Sequence, residues 1–128
     1  NTQYEYQIRI AGETVGEGFW KTASPAKQPT QFKFLLASCI DYKRNRYGRQ
    51  PVWTTILEKD PPDFAMLNGD TVYLNNDDWT TEQEIILERV WRRNLAQRDD
   101  SHFKNFISKV PTVTVWDDHE YGEYLGEL

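Results

Sequence analysis

Tyr4, Tyr6, Ile8 and Ile10 alternate with polar residues, the alternation breaks at Ala11-Gly12-Glu13, and apolar residues return at Phe19 and Trp20. A period of two predicts strands, and the break between them predicts a β-hairpin. After the proline-containing stretch SPAKQPT, FKFLLASCI is apolar almost without interruption. Such a run suits a strand at the centre of a sheet covered on both faces. In PVWTTILEK, Pro51 fits a first helical turn and Val52 and Ile56 stand one turn apart. Asp60-Pro61-Pro62-Asp63 stops that helix, and FAMLNGD supplies a second short apolar run.

The order strand, helix, strand is a βαβ unit. A polar loop follows over Asn75 to Trp79, then a helix capped at Thr80 or Thr81 with Glu84 near its third position. Ile85, Leu87, Val90, Trp91 and Leu95 lie along this helix, and Phe103, Phe106, Ile107 and Val110 mark another before Pro111. Thr112 to Trp116 forms the last strand. Alternating β and α elements predict an α/β layered sheet. Two strands make too small a core of their own, so residues 1–23 read as the end of an amino-terminal β-sandwich domain, with earlier strands outside this sequence. Residues 24–30 read as a linker and residues 31–128 as one incomplete α/β domain.

The chain has 128 residues, 38% hydrophobic, with five Trp, seven Tyr and six Phe. That composition folds rather than staying disordered. Fifteen basic against twenty acidic residues leave a net charge of −5, which argues against a nucleic-acid-binding surface. No apolar run is long enough for a transmembrane segment, and the first residues lack the pattern of a secretory signal. The single cysteine, Cys39, excludes an intrachain disulfide; by itself it fits a buried small hydrophobe, a reactive thiol or a metal ligand.

Polar residues gather where the three later strands end: Ser38-Cys39, then Gly69-Asp70-Thr71-Val72-Tyr73, then Asp117-Asp118-His119-Glu120. If the strands are parallel, these ends share the edge where α/β sheets build ligand sites. Taken singly, Asp70 fits a turn or helix cap, Tyr73 an ordinary aromatic, and Asp117-Asp118 a solvated turn. Together they suggest a cation site, because adjacent carboxylates repel and a metal offsets that repulsion most compactly. Carboxylates favour hard cations while thiolate and phenolate favour transition metals, so the mixture suggests two kinds of ion. Arg89, Arg92 and Arg93 are candidate phosphate contacts, although arginines on an amphipathic helix are usually solvated. His102 fits a structural or exposed position.

SC at 38–39, GDTVY at 69–73 and WDDHEYG at 116–122, in that order, resemble the amino-terminal half of an alkaline phosphatase D (PhoD-like) metallophosphatase. FWKTASP resembles the close of that family's small β domain, so the likeness spans essentially the whole chain. WDDHEYG is the most specific piece. The resemblance implies that Cys39 and Tyr73 bind ferric iron (Fe3+), that Asp70 is shared between iron and calcium (Ca2+), and that at least one of Asp117 and Asp118 binds calcium. It implies that His119 stabilises the transition state or protonates the leaving oxygen, and that Glu120 orients it. It further implies hydrolysis of phosphate monoesters or diesters and a periplasmic or extracellular location.

Glu123, Tyr124 and Leu125 replace an asparagine-containing segment often found in the family, which puts the second ion's identity or affinity in question. The family's later histidine and aspartate ligands would fall beyond Leu128, so catalysis is expected only with the missing carboxy-terminal half. The alternatives are a non-catalytic interaction module with a structural, calcium-binding acidic cluster, and a small calcium-binding module that needs neither Cys39 nor Tyr73.

Overall fold

The structure, a computed structural model, describes residues 2–22, 25, 31–41, 50–74 and 87–121. The elements are β1 (Gln3–Ile10), β2 (Glu13–Lys21), β3 (Phe34–Ala37), α1 (Val52–Lys59), β4 (Phe64–Asn68), α2 (Leu87–Asp99), α3 (Ser101–Ile107), β5 (Thr112–Val115) and α4 (Asp118–Tyr121). The expected linker, apart from Pro25, lies outside the described residues, as do the loop at 75–79, the cap at Thr80 or Thr81, and Glu123 to Leu125.

Strands β1 and β2 pair antiparallel around a two-residue turn. Ala11 and Gly12 both have positive φ, 51° and 89°, as a turn matching the right-handed twist of a tight hairpin requires. The hairpin meets the rest of the chain where the Tyr6 hydroxyl donates to the Ser108 carbonyl at 3.5 Å.

The second sheet has the order β3-β4-β5, and both pairs are parallel. Parallel neighbours need a crossover. Helix α1 supplies it between β3 and β4, and the segment containing α2 and α3 supplies it between β4 and β5. Pro51 caps α1, and Asp60 closes it by donating its N–H to the Ile56 carbonyl at 3.0 Å. Asp63 then ties the chain to the start of β3, its carboxylate accepting from Lys33 N at 2.9 Å.

One face of this sheet carries the core. Trp53 of α1, Ala65 and Leu67 of β4, and Phe103 and Phe106 of α3 are buried together with Val110, and Leu35, Ala37, Ile40, Ile56, Leu57 and Ile107 pack against them. The Trp53 ring sits 5.0 Å from each of Phe103 and Phe106. Period-two alternation turns Phe34, Leu36, Met66, Val113 and Val115 to the other face, and all five are exposed. Burial on both faces was expected for β3; among the described residues no element packs on this second face. A second departure concerns α2, whose residues Leu87, Trp91 and Leu95 stand one turn apart yet are 78%, 67% and 53% exposed, while Arg93 and Gln97 are buried.

A buried polar network lies at the carboxyl edge of the sheet. Gln50 donates through Nε2 to the Ile40 carbonyl at 2.8 Å, and its Oε1 accepts from Trp53 Nε1 at 2.8 Å and Gln97 Nε2 at 3.0 Å. Asp100 accepts from Gln50 N at 3.2 Å and caps α3 by accepting from His102 N and Phe103 N. The network fastens Ile40, next to Cys39, to the starts of two helices. Asp100→Ala is expected to cost roughly 2 kcal/mol, about half from the lost cap and half from a stranded buried donor. Urea denaturation of the two proteins measures this.

Candidate functional site

The three parallel strands deliver their carboxyl ends to one edge. Backbone pairing runs past the strands into the loops, Cys39 N donating to Gly69 O at 3.3 Å and Ile40 N to Asp70 O at 2.9 Å. Cys39 and Asp70 both have left-handed backbones, with φ of 57° and 54°. Non-glycine residues pay for that conformation, roughly 1–3 kcal/mol each, and it concentrates where a side chain must be aimed at a site.

Cys39 is exposed, which removes the buried-hydrophobe reading. Its thiol donates to Asp70 Oδ2 at 3.5 Å, and the Tyr73 hydroxyl donates to the same oxygen at 3.3 Å. Residues from the ends of β3 and β4 thus meet on one carboxylate oxygen. Burial, the hydrogen bond with Cys39 and the charge of Asp70 all push the Tyr73 phenol above its ordinary value. Its ring also packs on the His119 imidazole, with centroids 4.2 Å apart.

From the end of β5 come Asp117 to Glu120. One ligating atom each from Asp70, Asp118 and His119 lies within 4.8 Å of the others. Asp70 Oδ1 and His119 Nδ1 are buried and have no hydrogen-bond partner among the described residues. Orphaned buried polar atoms of this kind ask for an explanation. A carboxylate oxygen and an imidazole nitrogen converging without donors between them suit a cation.

Asp117 is placed differently. Its Oδ1 accepts from Asp118 N at 3.0 Å, and its own N–H donates to Glu120 Oε2 at 2.9 Å. The second of these bonds is one half of the capping box of a helix start, the N3 carboxylate returning to the N-cap N–H, and α4 begins there. The Glu120 carboxylate also accepts from Asp70 N at 2.9 Å, Thr71 N, Thr71 Oγ1 at 2.8 Å and Val72 N at 3.4 Å. Burial raises its carboxyl, but these donors from Asp117, Thr71 and Asp70 outweigh it, and the net shift is downward. None of these bonds comes from the His119 ring.

The role of Thr71 and the turn of helix at Asp118 were absent from the sequence reading. The signal for the helix turn was the spacing Asp117-x-x-Glu120, a helix-capping pattern; no motif signalled Thr71. Of the candidate arginines, Arg92 is exposed and pairs with Glu88 at 2.6 Å, and Arg93 is buried. His102 Nδ1 lies 2.7 Å from Thr54 Oγ1, joining α3 to α1.

Comparison with known proteins identifies the family. The sequence model of a family described as PhoD-like phosphatase matches residues 34–123. A solved structure titled "Structure of PhoD" superposes with a TM-score of 0.73 at 27% identity, covering 93% of this chain. The chain spans 24% of that structure's length. No curated protein matches.

Proposed function

The chain belongs to the PhoD-like phosphatase family, and from that premise we propose that it holds part of a two-metal centre hydrolysing phosphate monoesters or diesters. The observation that carries this reading is the convergence of Asp70, Asp118 and His119, with Asp70 Oδ1 and His119 Nδ1 buried and unpartnered. Cys39 and Tyr73, meeting on Asp70 Oδ2, would hold ferric iron together with Asp70. Asp118, at the cluster, would hold calcium, leaving Asp117 to start α4. Bound there, the ions supply Lewis acidity to the phosphate ester and to the attacking water.

The chain's own groups do the rest. Asp70 brings negative charge to the middle of the cluster, fixed by a left-handed backbone that cannot relax freely. Tyr73 packs flat enough on His119, at 35° between planes, to limit the swing of the imidazole. His119 offers its imidazole as the group that gives a proton to the leaving oxygen or stabilises the charge developing there. Phosphate esters are anionic, so the acidic edge of this sheet needs its cations before substrate can approach. A periplasmic or extracellular setting belongs to the same reading. Among the described residues no helix is long and apolar enough to cross a membrane.

The test is metal analysis of the purified chain, paired with hydrolysis of a chromogenic phosphate diester with and without a complementing carboxy-terminal segment. Metal retained by the chain, and turnover once the segment is supplied, is the expected result. No metal and no turnover in either arm would instead favour a non-catalytic module.

A further inference from the structure

We propose that Glu120 is a positioning residue: its carboxylate holds the turn after β4 against the turn after β5, and so sets the separation of Asp70 from Asp118 and His119. The inference rests on the reading of the site given above and adds to it a residue that touches neither ion nor ester.

The hydrogen bonds divide between the two turns. Glu120 sits in α4, on the β5 side, and from the β4 side its carboxylate takes the N–H groups of Asp70, Thr71 and Val72 and the Thr71 hydroxyl. On its own side it takes Asp117 N at 2.9 Å. Successive backbone N–H groups in a turn form a concave anion site, and here a side chain of the same protein fills it. A carboxylate has about four acceptor positions, so these donors leave it no capacity to bind an ion or shuttle a proton. A second tie runs parallel, with Leu74 N donating to the His119 carbonyl at 3.2 Å. The two turns are therefore joined by two sets of hydrogen bonds, and Glu120 is the charged member of that junction.

Shape and charge are both required. Glu120→Gln keeps the length but replaces one acceptor oxygen with a donor, which faces backbone donors whichever way the amide is turned. Glu120→Asp keeps the charge but is one methylene too short to span both turns. The experiment titrates cobalt(II) into the wild-type chain and both variants, following the visible absorption of the metal, and measures amide exchange without metal. In Glu120→Gln, cobalt(II) is expected to bind about tenfold or more weakly, with an altered absorption band, as for other groups that orient metal ligands. The amides of Asp70, Thr71, Val72 and Asp117 are expected to exchange faster together, while those of β1 and β2 do not change. Glu120→Asp is expected to shift both readouts in the same direction.

Unchanged cobalt(II) affinity and band in Glu120→Gln, with those amides still protected, would overturn the proposal. If the wild-type chain takes up no cobalt(II), the metal-centre reading fails, and the amide pattern alone still decides whether Glu120 joins the turns. Should Glu120→Gln not fold, Thr71→Val removes one hydrogen bond from the same carboxylate and keeps the side chain's shape. It is expected to speed the same amides, and no change there would count equally against the tie.

Discussion

Asp70→Asn is expected to strip the site of metal, weakening binding on the order of 10³-fold, which is roughly 4 kcal/mol. Asp70 is the residue on which the site converges: Oδ2 accepts from Cys39 and Tyr73, and Oδ1 is buried without a partner. Asparagine matches the shape of aspartate, so packing around the turn survives. The backbone N–H of residue 70 still reaches Glu120, because that bond does not involve the side chain. What disappears is the negative charge in the middle of the cluster, and a cation among protein ligands depends on that charge more than on any single contact. The phosphodiester turnover proposed for the chain once its complementing segment is supplied should fall with the metal. The check is equilibrium metal titration beside a rate measurement, with circular dichroism to show that the variant is folded. Metal content equal to wild type would remove Asp70 from the proposed centre.

Gly69→Ala should destabilise the chain by about 3 kcal/mol, the sum of two separate costs. Gly69 has φ of 79°, and a left-handed residue with a Cβ costs roughly 1–2 kcal/mol. A Cβ there would also lie 2.5 Å from Asp117 Cβ and 3.1 Å from Asp117 Oδ2. Relieving an overlap of this kind costs about 1–3 kcal/mol. The group that must give way is backbone-proximal, so the displacement passes to Asp118 and His119, and metal binding should weaken along with the fold. Gly12→Ala separates the two costs, since Gly12 shares a positive φ of 89° but has nothing within 4 Å of its added Cβ. It should lose only the conformational part. Urea denaturation of both variants measures the difference; equal losses would mean that the contact with Asp117 is unimportant.

Much of the architecture was legible because each stretch carried its own period. The alternation of Tyr4, Tyr6, Ile8 and Ile10 became β1, the apolar runs around Leu35 and Met66 became β3 and β4, and Pro51 and Asp60 bracketed α1. Tertiary packing was less legible. The Leu87, Trp91 and Leu95 stripe has helical spacing, but spacing cannot say which side of a helix meets the core, and α2 instead buries Arg93 and Gln97. The continuous apolar character of β3 implied two covered faces, and the described residues supply one. In the site, the order of the motifs named the ligand candidates, and parallel pairing brought Cys39, Asp70, Tyr73, Asp118 and His119 to one edge. The division between Asp117 and Asp118 was not readable, since it depends on a turn of helix four residues long, too short to show a period. The resemblance implied that Glu120 orients His119, but at i, i+1 on a helix two side chains do not face each other, and the Glu120 carboxylate instead accepts from Asp70, Thr71, Val72 and Asp117.

The proposed ligands come from the ends of three different strands, and among the described residues only β4 is paired on both sides. In the language of chelation, the sheet is the rigid frame of a polydentate ligand, and its denticity depends on two ladders of backbone hydrogen bonds. Fraying of β3 withdraws the thiol, and fraying of β5 withdraws the Asp118 carboxylate and the imidazole. Escape of an ion from the proposed frame would then be timed by the opening of β3 or β5.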